Sequence, residues 1–140
     1  NAEQDTELML SSILTIGDFY YTANNFLEAL KYYTKAIPLV NSTDLNKNKT
    51  QSEAILSKKA DCFFQLKNYF AAMTEYIQLI RMNRNDLDYK IRYAKCCIET
   101  KTQILDAISI LEKIPAQNLS QEIEKLMEQL KTILAQEKKK

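Results

Sequence analysis

Asp18 and Asp61 are the first residues in this chain that could do chemistry. Two carboxylates in one cleft can act as general acid and general base. Cys62, Cys96 and Cys97 are an odd set of thiols. The chain of 140 residues contains no histidine. Cys–His pairs, Ser-His-Asp triads and Cys/His zinc sites therefore cannot be assembled within it. Cys96 and Cys97 are adjacent and point in different directions on a helix, so three cysteines do not make a disulfide framework. A reducing, intracellular setting is expected. The stretch DFYY at 18–21 could stack on bases, yet no basic residues surround it. Nineteen basic and eighteen acidic residues almost cancel. Neither a nucleic-acid nor a membrane footprint is expected, and Lys138, Lys139 and Lys140 read as a solvated tail. The single glycine, Gly17, cannot form a Gly-rich phosphate loop. The expectation is a protein with no cofactor, no metal and no catalysis.

The elements that must position these residues are helices. One glycine and two prolines in 140 residues leave few tight turns, against an all-β fold. Apolar residues at 46% and charged residues at 26% suit one soluble domain. No apolar run approaches the ~18 residues of a membrane span. Leu10, Ile13, Leu14, Ile16, Phe19 and Tyr20 recur at helical spacing over 6–23. Asn24 and Asn25 break that helix, and Phe26, Leu27, Leu30, Tyr33, Ile37 and Val40 start the next. NSTDLNKNKTQ, residues 41–51, reads as an inserted loop. The pattern resumes with Ile55, Leu56, Cys62, Phe63 and Leu66, breaks at Lys67-Asn68, and continues from Tyr69 to Ile80. Asn85 or Asp86 caps a helix over 87–100, and 103–114 follows until Pro115. Ser120 caps a last helix over 120–137, with an apolar stripe through Ile123, Leu126, Met127, Leu130, Ile133 and Leu134. Seven helices result, three pairs and a single. The chain starts without methionine, so we expect a piece of a longer protein.

The pairs repeat. Ala29, Ala72 and Ala107 occupy equivalent places in each second helix, 43 and 35 residues apart. An insertion of about nine residues in 41–51 accounts for the longer interval on a 34-residue repeat. Phe26, Tyr69 and Ile104 precede these alanines by three, and Tyr33, Tyr76 and Leu111 follow by four. Gly17, Tyr20, Ala29, Tyr33 and Ala36, with Ile13 and Ile16, resemble the tetratricopeptide repeat (TPR). Leu56, Ala60, Phe63, Tyr69, Ala72 and Tyr76 continue the pattern. Ile91, Ala94, Ile98, Ala107 and Leu111 carry a degenerate third copy. The repeat's proline is missing from all three; Asn41, Arg84 and Leu119 stand there.

The resemblance implies an all-α, right-handed TPR-like solenoid. It has three helix-turn-helix repeats, about 10–41, 53–84 and 88–119, and a C-terminal capping helix, in a single domain. Gly17, Tyr20, Ala29, Ala60, Ala72 and Ala107 become structural positions, and Gly17 with Ala29 allows two helices to approach closely. A concave groove is implied, lined by Leu14, Asp18, Tyr21, Ser57, Lys58, Asp61, Phe64, Tyr89, Arg92 and Glu99. Tyr93 and Cys96 fall on the same face. The implied function is a non-enzymatic module that holds a partner protein segment inside a larger complex. The acidic groups suggest a net basic, amphipathic peptide or helix. Some TPR co-chaperones clamp a C-terminal carboxylate with Lys, Asn and Arg residues. The matching positions here are Leu14, Asp18, Lys58, Tyr89 and Tyr93, none of which carries the residue the clamp has at that position, so that reading is disfavoured. The alternative is self-association, as a homodimer, through the helix 120–137. TPR proteins serve cytoplasmic, ciliary, cytoskeletal and nuclear assemblies, and the sequence does not select among them.

Overall fold

A computed structural model describes residues 1–41 and 45–139. Within them lie seven α-helices and one short 3-10 turn, and no strand. The chain divides into two compact units, Asn1–Glu75 and Tyr76–Lys140.

In the first unit, α1 (Ala2–Thr22) begins on a capping box. The Gln4 amide donates to Asn1 Oδ1 at 2.9 Å, and the terminal amine donates to Gln4 Oε1 at 3.3 Å. Reciprocal satisfaction of orphan groups extends this helix four residues beyond its apolar pattern. It ends at a turn in which Asn24 adopts φ 62° and the Asn25 amide donates to Tyr20 O. α2 (Phe26–Asn41) packs against both α1 and α3 (Leu45–Gln65). Pro38 lies inside α2, on its exposed side, at the cost of one helical hydrogen bond. The second turn repeats the first: Lys67 adopts φ 63°, the Asn68 amide donates to Phe63 O, and α4 (Tyr69–Met82) follows. Asn24 and Lys67 both stand five residues before the alanine of the next helix, so the sequence register is also a backbone register.

The expected loop over 41–51 is corrected by this structure. Asn41 closes α2 and residues 45–51 are the first turns of α3; residues 42–44 lie outside the described residues. A polar run has no apolar period to betray a helix. Asn, Lys, Thr and Gln each cost only about 0.3–0.7 kcal/mol against alanine in one. Once Ile55 and Ala60 are anchored, extension toward the N-terminus adds one hydrogen bond per residue.

The core of this unit joins Leu10, Ala29, Tyr33, Ala36, Val40, Ile55 and Cys62. Gly17, Ala60 and Ala72 are buried as well. Phe19 and Ile16, read as part of the α1 stripe, are not: they are 68% and 40% exposed. The apolar residues of α1 span a wider arc than its neighbours cover, and Leu10, Gly17 and Leu14 hold the covered side.

In the second unit, α5 (Leu87–Thr100) starts at Asp86, whose Oδ1 accepts from the Tyr89 amide at 3.1 Å. Its exit turn differs from the first two, with Lys101 and Gln103 both at φ 54°. α6 (Ile104–Glu112) ends before Pro115 and the 3-10 turn Ala116–Asn118. α7 (Gln121–Lys138) is capped by Ser120 Oγ, which accepts from the Ile123 amide at 3.2 Å. It packs on α5 and α6 and buries Ile123, Leu126 and Leu130. Lys95 of α5 reaches Glu122 at 3.5 Å.

Candidate docking face

Gly17 shows how the first unit places its functional side chains. A Cβ at this position would lie 3.1 Å from Tyr33 Cε1, and 3.3 Å from Tyr33 Cδ1 and Tyr32 Cβ. The missing side chain thus makes a slot for the fully buried Tyr33 ring. These tyrosines, rather than Ala29, are the nearest neighbours. The ring lies flat enough against α1 for its hydroxyl to donate to Asp18 Oδ1 at 2.5 Å. Burial first, then the bond to Asp18, raises the Tyr33 hydroxyl's pKa well above the ordinary phenol value, so it remains a donor.

Lys58 comes to the same carboxylate oxygen from α3, at 2.8 Å, with its ammonium 5.9 Å from the Tyr33 ring centroid. One turn further along, the Tyr21 hydroxyl donates to Asp61 Oδ2. Gln65 donates to the other Asp61 oxygen at 3.4 Å. Two links therefore join α1 to α3 across 40 residues of sequence. Asp18 and Lys58 are 47% and 42% exposed, so their ion pair fixes geometry more than it stabilises, about 0–1 kcal/mol.

Aromatic pairs flank this polar line at matching places. Tyr21 meets Phe26 edge-on at 5.7 Å, and Phe64 meets Tyr69 edge-on at 5.6 Å, both with planes at 80°. Each pair closes one inter-helix turn and stands eight and three residues before Ala29 or Ala72. Leu14, Asp18, Tyr21, Ser57, Lys58, Asp61 and Phe64 are all half-buried on α1 and α3. Of these seven, the structure joins Asp18 to Lys58 and Tyr21 to Asp61. The edge-on pairs were missed in the sequence, although the equal spacing of 21/26 and 64/69 was there to signal them.

The second unit treats its share of the expected groove differently. Tyr89, Tyr93 and Cys96 are buried. Tyr89, expected to line the groove, is 8% exposed. α5 is packed on by α6 and α7, and it turns its aromatic and small side chains inward. The Tyr93 hydroxyl donates to Asp106 Oδ2 at 2.6 Å, and its pKa is raised by burial and then by that bond. Arg92 Nε donates to Asp88 Oδ2 at 3.2 Å along α5, and Glu99 is exposed. Among the structural positions, Ala29, Ala60, Ala72 and Ala107 are fully buried, and Tyr20 stacks on Tyr32 at 5.7 Å.

Burial pushes the thiols of Cys62, Cys96 and Cys97 up to about 12, so they are poor nucleophiles near neutrality. Among the described residues there is no cluster of His, Cys, Asp or Glu able to hold a metal ion. No helix among them is long and apolar enough to cross a membrane.

No family model matches this chain, and no curated protein matches it in sequence. Solved structures do match in shape. A chain of the Sec complex from S. cerevisiae superposes with a TM-score of 0.82 at 17% identity, covering 94% of this chain and 72% of that one. The C-terminal TPR-containing domain of a Plasmodium falciparum FK506-binding protein gives 0.80 at 18% identity, over 99% and 96%. The first TPR of Spaghetti (RPAP3), bound to the HSP90 peptide SRMEEVD, gives 0.66 at 16% identity, over 90% and 93%. This chain has the all-helical TPR fold.

Proposed function

We propose that this chain is a non-enzymatic interaction module that receives a segment of a partner protein on the α1–α3 face, within a larger assembly. The observation that carries the reading is that face. Equivalent residues of two successive first helices stand half-exposed side by side, tied by Tyr21–Asp61 and Lys58–Asp18 and flanked by two aromatic pairs. Aromatic anchors within a polar rim are what binding surfaces concentrate. The solved TPR of Spaghetti carries a peptide, which shows what this fold can hold. We keep the frame of three repeats at 10–41, 53–84 and 88–119 followed by the helix 120–137.

The partner is a net basic, amphipathic segment. Asp18 and Asp61 against Lys58 leave the face with a net negative formal charge, and apolar anchors fit Leu14, Tyr21 and Phe64. A carboxylate-ended peptide is a poor fit, since Asp18 meets it with like charge and Lys58 is already engaged. Peptide selection on the purified chain, followed by binding to Phe64→Ala and Asp61→Lys variants, tests this. Enriched peptides should pair Lys or Arg with aliphatic or aromatic residues. Phe64→Ala should cost roughly 2 kcal/mol, about thirtyfold in Kd. Enrichment of acidic peptides, or full binding by both folded variants, would sink the reading.

A further inference from the structure

α7 spends only part of its surface on the core. Its other side, with the end of α6, Ile114 and Leu119, lines an open groove of ≈ 860 Å3. The groove's floor is apolar, from Leu111, Ile114, Leu119 and Met127. Leu119 is 42% exposed there, a large apolar side chain left in water. The charges on the groove wall are sorted by position along α7. Glu124 and Glu128 stand in its N-terminal half, Lys131 in its C-terminal half and Lys139 at its C-cap, while α6 adds Glu112.

We infer that this groove is a homodimer interface, in which α7 of a second copy lies antiparallel to α7 of the first. The sorting of charge picks the occupant. A uniformly basic segment would be repelled at the lysine end, and a uniformly acidic one at the glutamate end. A parallel second copy would set like charge against like. An antiparallel copy sets each glutamate half against a lysine half, which is the self-complementarity that a two-fold interface demands. With the axis beside residues 130 and 131, Glu124 faces Lys139 of the second copy and Glu128 faces its Lys131. Each pair is then about 3 Å along the helix from direct opposition, at 1.5 Å per residue, within reach of these long side chains. The apolar floor of each copy receives Met127 and the small Ala135 of the other.

The interface uses no residue of the α1–α3 face, so the two readings fail separately. Sedimentation and light scattering of the whole chain up to about 100 μM test it, in the range where weak dimers populate. The wild-type chain should dimerise with concentration, and less so in high salt. A Glu124→Lys/Glu128→Lys variant and a Lys131→Glu/Lys139→Glu variant should each be monomeric alone. Mixed together they should form a 1:1 heterodimer, because every facing pair is again opposite in sign. These four residues are exposed, and circular dichroism confirms that the variants remain folded. Tyr21→Ala/Phe64→Ala should leave the dimer intact. A wild-type chain that stays monomeric at the highest concentration overturns the proposal and leaves the groove to a foreign helix. Variants that dimerise alone as well as wild type, or do not associate when mixed, overturn it too.

Discussion

Replacing Gly17 by alanine should destabilise the first unit, where ordinary helix energetics predicts the reverse. In an open helix, glycine to alanine gains about 1 kcal/mol. Here the new Cβ meets Tyr33 Cε1 at 3.1 Å and two further carbons at 3.3 Å. These distances fall short of ordinary carbon contact at about 3.5–4.0 Å, so the neighbours must give by several tenths of an ångström. Tyr33 has little room to do so. Its ring is fully buried and its hydroxyl is held 2.5 Å from Asp18. Overpacking of this kind costs about 1–3 kcal/mol, which cancels or exceeds the propensity gain. The expected net is a loss of about 0–2 kcal/mol for Gly17→Ala and several for Gly17→Leu. Urea unfolding followed by tyrosine fluorescence measures it, with the shift in midpoint read at constant m. Tyr33→Phe supplies the control. It frees the ring from Asp18, so Gly17→Ala should cost less in that background, with a coupling of at least ~0.5 kcal/mol. If Gly17→Ala instead stabilises by the full propensity gain, or couples to nothing at Tyr33, the slot has been misread.

Three further outcomes are expected. Tyr33→Phe should lose about 1.5–3 kcal/mol with its bond to a carboxylate, while Lys58→Met should change stability by less than about 1 kcal/mol, the exposed ion pair being weak; denaturant midpoints compare the two. Tyr33, Tyr93, Cys62, Cys96 and Cys97 all have pKa values raised by burial in the folded chain. Their contribution is therefore complete below the unfolded values and is lost as pH rises from about 9 toward 12, so melting temperature should fall over that window and the native thiols should resist alkylation at pH 7 until denaturant is added. Cutting the chain after Pro115 removes the cover that Ile123, Leu126 and Leu130 give to α5 and α6. At about 25 cal/mol per Å2 the loss is several kcal/mol, and the truncated chain should melt earlier or aggregate; an unchanged melting curve would show that α7 is not a cap.

What the sequence by itself determined is local. Apolar spacing marked the helices, and Asp86 and Ser120 announced their caps. The breaks at Asn24-Asn25 and Lys67-Asn68 marked turns, because a left-handed residue and a short polar side chain leave a compositional trace within four or five positions. The alanines at 29, 72 and 107 carried the repeat, since close packing selects small residues at a fixed register. Other features had no local trace. Residues 45–51 are helical because a helix anchored further on can extend through indifferent residues. Phe19 is exposed and Tyr89 buried because coverage depends on which helices lie alongside, which periodicity within one helix does not encode. Lys58 and Asp18, or Tyr21 and Asp61, meet across 40 residues only once α1 and α3 are side by side. The same holds for the groove along α7. Its charges could be read in the sequence, but its apolar floor exists only after α6, Leu119 and α7 have packed. Short-range sterics and hydrogen bonding write themselves into neighbouring residues, whereas contact between distant segments is decided by the packing of the whole unit.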